Sequence, residues 1–261
     1  MILATILLLT GCGEYEKILK SRDYPVKYDK ALAYYEDGEY VKAATLLDQV
    51  VQIYRGTTKA DTVKYYQAMS YYGQRDYILA GHYFNELATT YSSSNYLEES
   101  EFMTAYCFYM LSPRPDLDQE STFKAINAFK MYMVKYPASD KVEQCKLLIA
   151  ELGDKIVEKS YNSAKLYYDL GYYKSAITAL RNSLEEYPDT KYREEVLYLI
   201  LRSSYLLADN SIESKKKERL QSAADEYLSF KSEFPESKYK KDAERMFSAT
   251  QKSLESYTSN N

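Results

Sequence analysis

The sequence predicts an all-α chain of about five helix pairs, and three observations carry that expectation. Glycine and proline number only 8 and 6 in 261 residues, and strand signals are scarce. One stretch, Ser163 to Tyr192, reads as two short helices and a turn. The same unit recurs when the rest of the chain is slid against it, anchored on Ala176, with matching alanines at Ala43, Ala80, Ala125 and Ala223. Four residues after each comes a bulky side chain: Leu47, Phe84, Phe129, Leu180 and Tyr227. Eleven after each comes an aromatic one: Tyr54, Tyr91, Tyr136, Tyr187 and Phe234. At 15% aromatic content, five of five at one position arises by chance with a probability of roughly 10⁻⁴, so the chain is repetitive.

Within Ser163 to Tyr192 the first helix ends in Tyr167, Tyr168 and Leu170. Gly171 tolerates the left-handed backbone that closes it. The second helix carries Ala176, Leu180, Leu184 and Tyr187 at helical spacing, and Pro188 stops it. A hydroxyl follows each unit, at Thr57, Ser94, Ser139, Thr190 and Ser237, suited to capping the next helix. This order of small, large and proline positions resembles the tetratricopeptide repeat, which implies a right-handed superhelix.

The chain opens on an apolar run, Met1 to Thr10, too short to span a bilayer and placed where a signal peptide belongs. Leu9-Thr10-Gly11-Cys12 resembles a bacterial lipobox, which implies cleavage after residue 11 and acylation of Cys12. No Lys or Arg precedes the run, which an upstream start codon would account for. Two or three acyl chains anchor a protein stably to a bilayer. Gly13 and Glu14 lack the aspartate that favours inner-membrane retention, so the expected location is the periplasmic face of the outer membrane of a Gram-negative bacterium.

The expected organisation is a signal peptide over 1–11, a lipidated charged tether over 12–24, repeats 1–3 over 25–138, a C-terminal half over 139–257 and a tail over 258–261. Repeat 1 pairs a helix closed at Gly38 with one from Tyr40 to Tyr54, and repeat 2 pairs Val63 to Tyr72 with Tyr77 to Tyr91. Repeat 3 is stretched by Ser112 to Asp118, where Pro113 and Pro115 make a loop, so the alanine spacing grows from 37 to 45. Between Ser139 and Leu170 the apolar positions keep helical period. They predict a rod of about 48 Å that links repeats 3 and 4 and fixes their relative orientation. Repeat 5 carries a charged, solvated insertion from Asp209 to Lys217, and residues from Lys238 to about Ser256 form an end helix.

Catalytic chemistry is not indicated. The one histidine, His82, sits between Ala80 and Phe84 and reads as a core or edge residue. Cys107 and Cys145 lie on apolar faces, where they are either free buried thiols or, in an oxidising periplasm, a pair, and their place on different helices favours free thiols. Gln119-Glu120-Ser121 is similar to the glutamate-serine motif of lytic transglycosylases. The glycine-rich segments of those enzymes are missing, so Glu120 reads as a helix-start acid. There is no metal-ligand spacing and no basic block for nucleic acid in a chain of net charge −4; no cofactor is expected beyond the lipid on Cys12.

Tyrosine is the outlier, at 31 with no tryptophan. Counted from the anchors, the first helices carry Tyr28 and Tyr35, Tyr65 and Tyr72, and Tyr161 and Tyr168 on the hollow side of such a superhelix. Tyr34, Tyr71 and Tyr167 are assigned to packing. The six then form two exposed rows suited to an extended apolar or aromatic peptide.

A lipobox cysteine, a brief tether, five repeats, a proline-bearing insertion in the third and a long linking helix together resemble the BamD family of outer-membrane assembly lipoproteins. The most specific stretches are Tyr136-Pro137-Ala138-Ser139 and Tyr187-Pro188-Asp189-Thr190; Arg55 and Ser92 stand where proline is usual. The resemblance implies a non-enzymatic subunit of the β-barrel assembly (BAM) machinery. Its N-terminal repeats would receive the signal strand of unfolded outer-membrane β-barrel proteins, with Tyr28, Tyr35, Tyr65 and Tyr72 as peptide-binding candidates. Its C-terminal repeats would dock the POTRA domains of the BamA-like Omp85 insertase, with Arg193, Glu194 and Arg202 as docking candidates. Other readings of the repeats are an envelope lipoprotein scaffold that coordinates peptidoglycan synthesis and one that captures glycans.

Overall fold

The computed structural model describes residues 7–259, with side chains from Gly13 to Tyr257. Residues 1–6 and 260–261, with the side chains of 7–12, Cys12 among them, and of 258–259, lie outside the described residues. Twelve helices and no strand are present among the described residues. They are α1 (Leu7–Lys20), α2 (Tyr24–Glu36), α3 (Tyr40–Val50), α4 (Ala60–Gly73), α5 (Tyr77–Thr90), α6 (Leu97–Leu111), α7 (Glu120–Lys135), α8 (Val142–Asp169), α9 (Tyr173–Glu186), α10 (Arg193–Asp209), α11 (Glu213–Glu233) and α12 (Lys240–Ser259). From α2 to α7, and again from α9 to α12, sequence neighbours pack against one another, which is the tetratricopeptide type of array.

The five anchoring alanines are buried at the helix contacts, and so are the bulky residues one turn on. Two turns show how the helix pairs close. Gly38 and Gly171 both sit at φ +76°, the left-handed region where a side chain is strained, and Arg75 takes the same place in repeat 2 at φ +63°. Gly81 is buried because α6 approaches closely: a Cβ there would lie 3.1 Å from Cys107 Cβ.

Four expectations are corrected. The charged tether is helical to Lys20, and Ile18 is buried in the core of the first pair while Tyr15 meets Tyr34 edge-on at 5.7 Å. Tyr15, Ile18 and Leu19 form one apolar helix face, which the charges around them concealed. The second helix of repeat 1 stops at Val50, four residues early. The insertion after Asp209 is mostly helix: α11 begins at Glu213, because its lysines and glutamates are good helix formers and only Asn210 to Ile212 remain outside. The proline-bearing loop is present as expected, and the buried amide of Gln119 ties it down by donating to Arg114 O (2.9 Å) and Leu117 O (3.0 Å).

The fourth correction concerns the repeated hydroxyls, which do not cap helices. Each accepts the backbone N–H two residues on, at Lys59, Tyr96, Lys141, Tyr192 and Tyr239, over 2.9 to 3.4 Å. That tight turn carries the side chain of the later residue over an aromatic ring of the preceding first helix. Tyr96 stacks on Tyr65 with ring centroids 4.2 Å apart, Tyr192 on Tyr161 at 4.3 Å and Tyr239 on Tyr198 at 4.0 Å. In the other two joints the cap is a cation: Lys59 Nζ lies 4.6 Å from the Tyr28 centroid and Lys141 Nζ 5.4 Å from that of Phe102. Five joints of one design therefore tie each first helix to the next.

The long helix α8 runs unbroken for 28 residues, about 42 Å. Two compact units divide inside it, after Gly153. The first unit has two cores, one around Leu46, Leu47 and Val50 and one around Phe84, Phe129 and Leu152. The second has one, around Leu180, Ile200 and Phe230.

Candidate partner-binding surfaces

The joints dispose of one of the two tyrosine rows. Tyr28 and Tyr161 were expected to be exposed, yet they are only 6% and 7% exposed, and Tyr65 is half-buried beneath Tyr96. Burial raises the Tyr28 hydroxyl above the usual tyrosine value and pushes those of Tyr65 and Tyr161 well above it. These rings hold repeats together, because the next turn always places a flat or cationic group against them.

The second row is different. Tyr35 on α2 and Tyr72 on α4 are half-buried, standing edge-on to Tyr40 (5.6 Å) and Tyr77 (5.5 Å), each the first residue of the partner helix. Tyr35 also meets Tyr66 at 5.0 Å, and Tyr72 lies 6.4 Å from Tyr106. Their rings are fixed by neighbours while their hydroxyls have no hydrogen-bond partner among the described residues. Burial first, then the neighbouring tyrosines, raises both pKa values.

Sequence reasoning missed the third member, Tyr109 on α6, whose hydroxyl donates to Glu151 (2.9 Å). It stands seven residues after Phe102, as Tyr35 and Tyr72 stand seven after Tyr28 and Tyr65. Counting from Ala105 would have found it; counting from Ala125 across the proline loop did not. One helical turn earlier the same face carries Leu32, Met69 and Tyr106, all partly buried. The first unit therefore presents three rigid phenols with apolar side chains beside them.

At matching positions the second unit has Tyr168 and Tyr205, with Lys165 and Arg202 in place of the apolar residues. Tyr168 is half-buried, whereas Tyr167, assigned to packing, is 44% exposed; the helix turns the second tyrosine of the pair inward here.

Two of the three docking candidates of the second unit, Arg193 and Arg202, are engaged within it. Arg193 forms a bidentate pair with Glu233 (2.5 and 3.1 Å) and also donates to Pro188 O (3.0 Å), which ties the start of α10 to the end of α11. Arg202 donates to the Tyr198 hydroxyl (2.8 Å), lies 3.8 Å from Asp242 and sits 6.0 Å from the Tyr168 ring centroid. Burial acts to raise the Asp242 pKa, but hydrogen bonds from Tyr198 and Arg245 and the charge of Arg202 bring it below the usual value. Glu194 is half-buried beside this joint.

The remaining chemical candidates stay apart. His82 is exposed, with Nε2 4.0 Å from Glu86, which is the edge and not the core of the two places expected for it; its helix turns it outward. Glu120 pairs with Lys124 (2.6 Å) in the first turn of α7. Cys107 and Cys145 are buried free thiols. No group of three or more potential metal-ligating side chains occurs among the described residues.

Comparison with known families supplies the deciding observation: residues 22–220, about three-quarters of the chain, match the family described as YfiO, outer membrane lipoprotein. The chain belongs to that family, which is the BamD family. No curated protein sequence matches it. Similar solved structures include the TPR2AB domain of yeast Sti1 in a complex with pHSP90, at 11% identity and TM-score 0.39, over 87% of this chain and 98% of that one. A tetratricopeptide repeat protein from Parabacteroides merdae is similar at 13% identity and TM-score 0.38, over 88% and 100%. Among the described residues no helix is long and apolar enough to cross a membrane.

Proposed function

We propose that this protein is a non-enzymatic subunit of a β-barrel assembly machinery, held by acyl chains on Cys12 to the periplasmic face of the outer membrane. The first unit receives the signal strand of unfolded barrel proteins, and the second docks the POTRA domains of a BamA-like insertase. The observation that carries the reading is the row Tyr35, Tyr72 and Tyr109 with Leu32, Met69 and Tyr106 beside it. A barrel signal strand is aromatic and apolar on alternate residues. Pre-positioned phenols supply apolar area with a polar tip, at little entropic cost.

For the insertase contact, Arg193 and Arg202 act through what they hold: the α10–α11 and α10–α12 joints that shape the docking edge around Glu194. Family membership supports a scaffold role.

The test is fluorescence anisotropy of the full chain in detergent with a labelled C-terminal peptide of an outer-membrane barrel protein. Replacing Tyr35 and Tyr72 together by Ala is expected to weaken binding roughly tenfold or more, as loss of aromatic anchors does at other interfaces. Insertase capture should persist. Unchanged peptide affinity would remove the assignment. A pull-down from native membranes through a tag after Asn261 should bring down a POTRA-bearing barrel protein in near-equal amount; recovery of peptidoglycan synthases or glycan porins would favour an envelope scaffold.

A further inference from the structure

The second unit holds a feature that the residues assigned to the assembly role do not line. Helices α9 and α11 flank α10 and leave between them a cavity of about 220 Å³, floored by Ser204 and Leu207 of α10. Its walls carry Lys174 and Arg181 from α9 and Arg219 and Glu226 from α11. On α9, Lys174 and Arg181 are two turns apart on one face; on α11, Arg219 and Glu226 are likewise two turns apart, so four charges converge on one recess.

Three cations against one carboxylate is an unusual local balance in a chain of net charge −4. Arg181 pairs with Glu226 across the cavity. Arg219 donates from Nη1 to Ser211 Oγ (2.6 Å), which fixes its guanidinium, while its remaining N–H groups have no acceptor among the described residues. Lys174 is exposed, and its ammonium has no ion-pair partner among the described residues either. The Arg181–Glu226 pair shows how one carboxylate sits here, and the cations left over define a place for another.

We propose that this recess binds a carboxylate from an acidic segment of a protein partner, received by Lys174 and Arg219. A protein segment is favoured over a free anion because the recess does not end at Lys174. On the other side of α9, sharing Lys174 and Thr178, lies a second and larger recess of about 470 Å³, lined by Tyr167, Ser175 and Asn182. A chain whose acidic side chain enters the first recess continues over Thr178 into the second. There the exposed ring of Tyr167 and the amide of Asn182 meet its flanking residues. The proposal does not depend on the barrel-assembly reading, since it involves neither the tyrosine row nor Arg193, Glu194 and Arg202.

The test measures anisotropy of a fluorescein-labelled peptide of alternating Glu and Ser, with the alternating Lys and Ser peptide as counterpart, on the full chain in detergent. The acidic peptide is expected to bind, more weakly as salt rises. Lys174→Glu should lower its affinity roughly tenfold, the usual weight of a charge-assisted contact or two, whereas Lys252→Glu, the same charge change on α12, should leave it within about twofold. Lys174→Gln with Arg219→Gln gives the same readout without charge reversal, and far-UV circular dichroism checks that each variant folds. Equal binding of both peptides, equal loss in the Lys174 and Lys252 variants, or displacement of the acidic peptide by millimolar inorganic phosphate or by phosphatidylglycerol vesicles would each overturn the proposal. The last two results would point instead to a phosphate site or an anionic membrane surface.

Discussion

Replacing Lys59 by Tyr should stabilise the first unit, although it removes a cation from a cation–π contact. Lys59 Nζ sits 4.6 Å from the centroid of the buried Tyr28 ring, and the lysine itself is exposed, so the contact contributes about 0.5–1 kcal/mol. Lys59→Ala should therefore cost about that much. At the equivalent joint of the next repeat the cap is Tyr96, stacked at 4.2 Å and 15° on Tyr65. The backbone already suits the exchange: Lys59 has φ −101° and ψ −1°, against φ −91° and ψ 1° at Tyr96 and φ −89° and ψ 1° at Tyr192. A stacked aromatic pair contributes about 0.5–1.5 kcal/mol beyond the area it buries. Lys59→Tyr should thus exceed Lys59→Ala by about 1–2 kcal/mol, or roughly 3–6 °C in the melting of a unit this size. Urea and thermal unfolding followed by far-UV circular dichroism give both quantities. A Tyr variant no more stable than the Ala variant would show that the five joints are not one design. Lys141→Tyr is the internal comparison: Lys141 also pairs with Glu99 at 2.7 Å, so its exchange should gain less.

Three further outcomes follow from single contacts. A Cβ on Gly73 would lie 2.5 to 2.7 Å from the ring of Tyr40, so Gly73→Ala should destabilise by about 1–3 kcal/mol despite the better helix propensity of alanine. Because Tyr40 braces Tyr35, the same variant should also weaken signal-peptide binding. Hydrogen bonds from Ser139 and Tyr132 hold the Glu98 pKa below its usual value, so the stability it contributes is present above the unfolded-state pKa and is lost as pH falls through the folded one. Tyr132→Phe should flatten that acid limb of an unfolding-versus-pH curve, and an unaltered limb would assign it to other carboxylates. Burial pushes the Cys107 thiol up to about 12 and raises Cys145 as well, so neither should react with an alkylating reagent at neutral pH until urea unfolds the first unit.

Repetition made most of the fold legible in the sequence. Five alanines with a bulky residue one turn on must recur wherever helices approach at the same distance, so counting residues located the pairs, the proline loop and the long helix. The lipobox resemblance likewise needs only local chemistry. What the chain order alone could not show was which tyrosine of each row points at a neighbour, because that depends on the turn arriving from the next repeat. Thr57 and Ser94 look like helix caps in sequence; in space they bring Lys59 and Tyr96 over Tyr28 and Tyr65 and so convert two binding candidates into joints. The same holds for Arg193, an exposed-looking cation that Glu233, forty residues on, occupies. Helical period, small-residue spacing and turn chemistry are properties of neighbours along the chain, and the sequence determined those. Exposure and pairing belong to residues that meet only after α9, α10 and α11 have packed, and only the tertiary structure decided them.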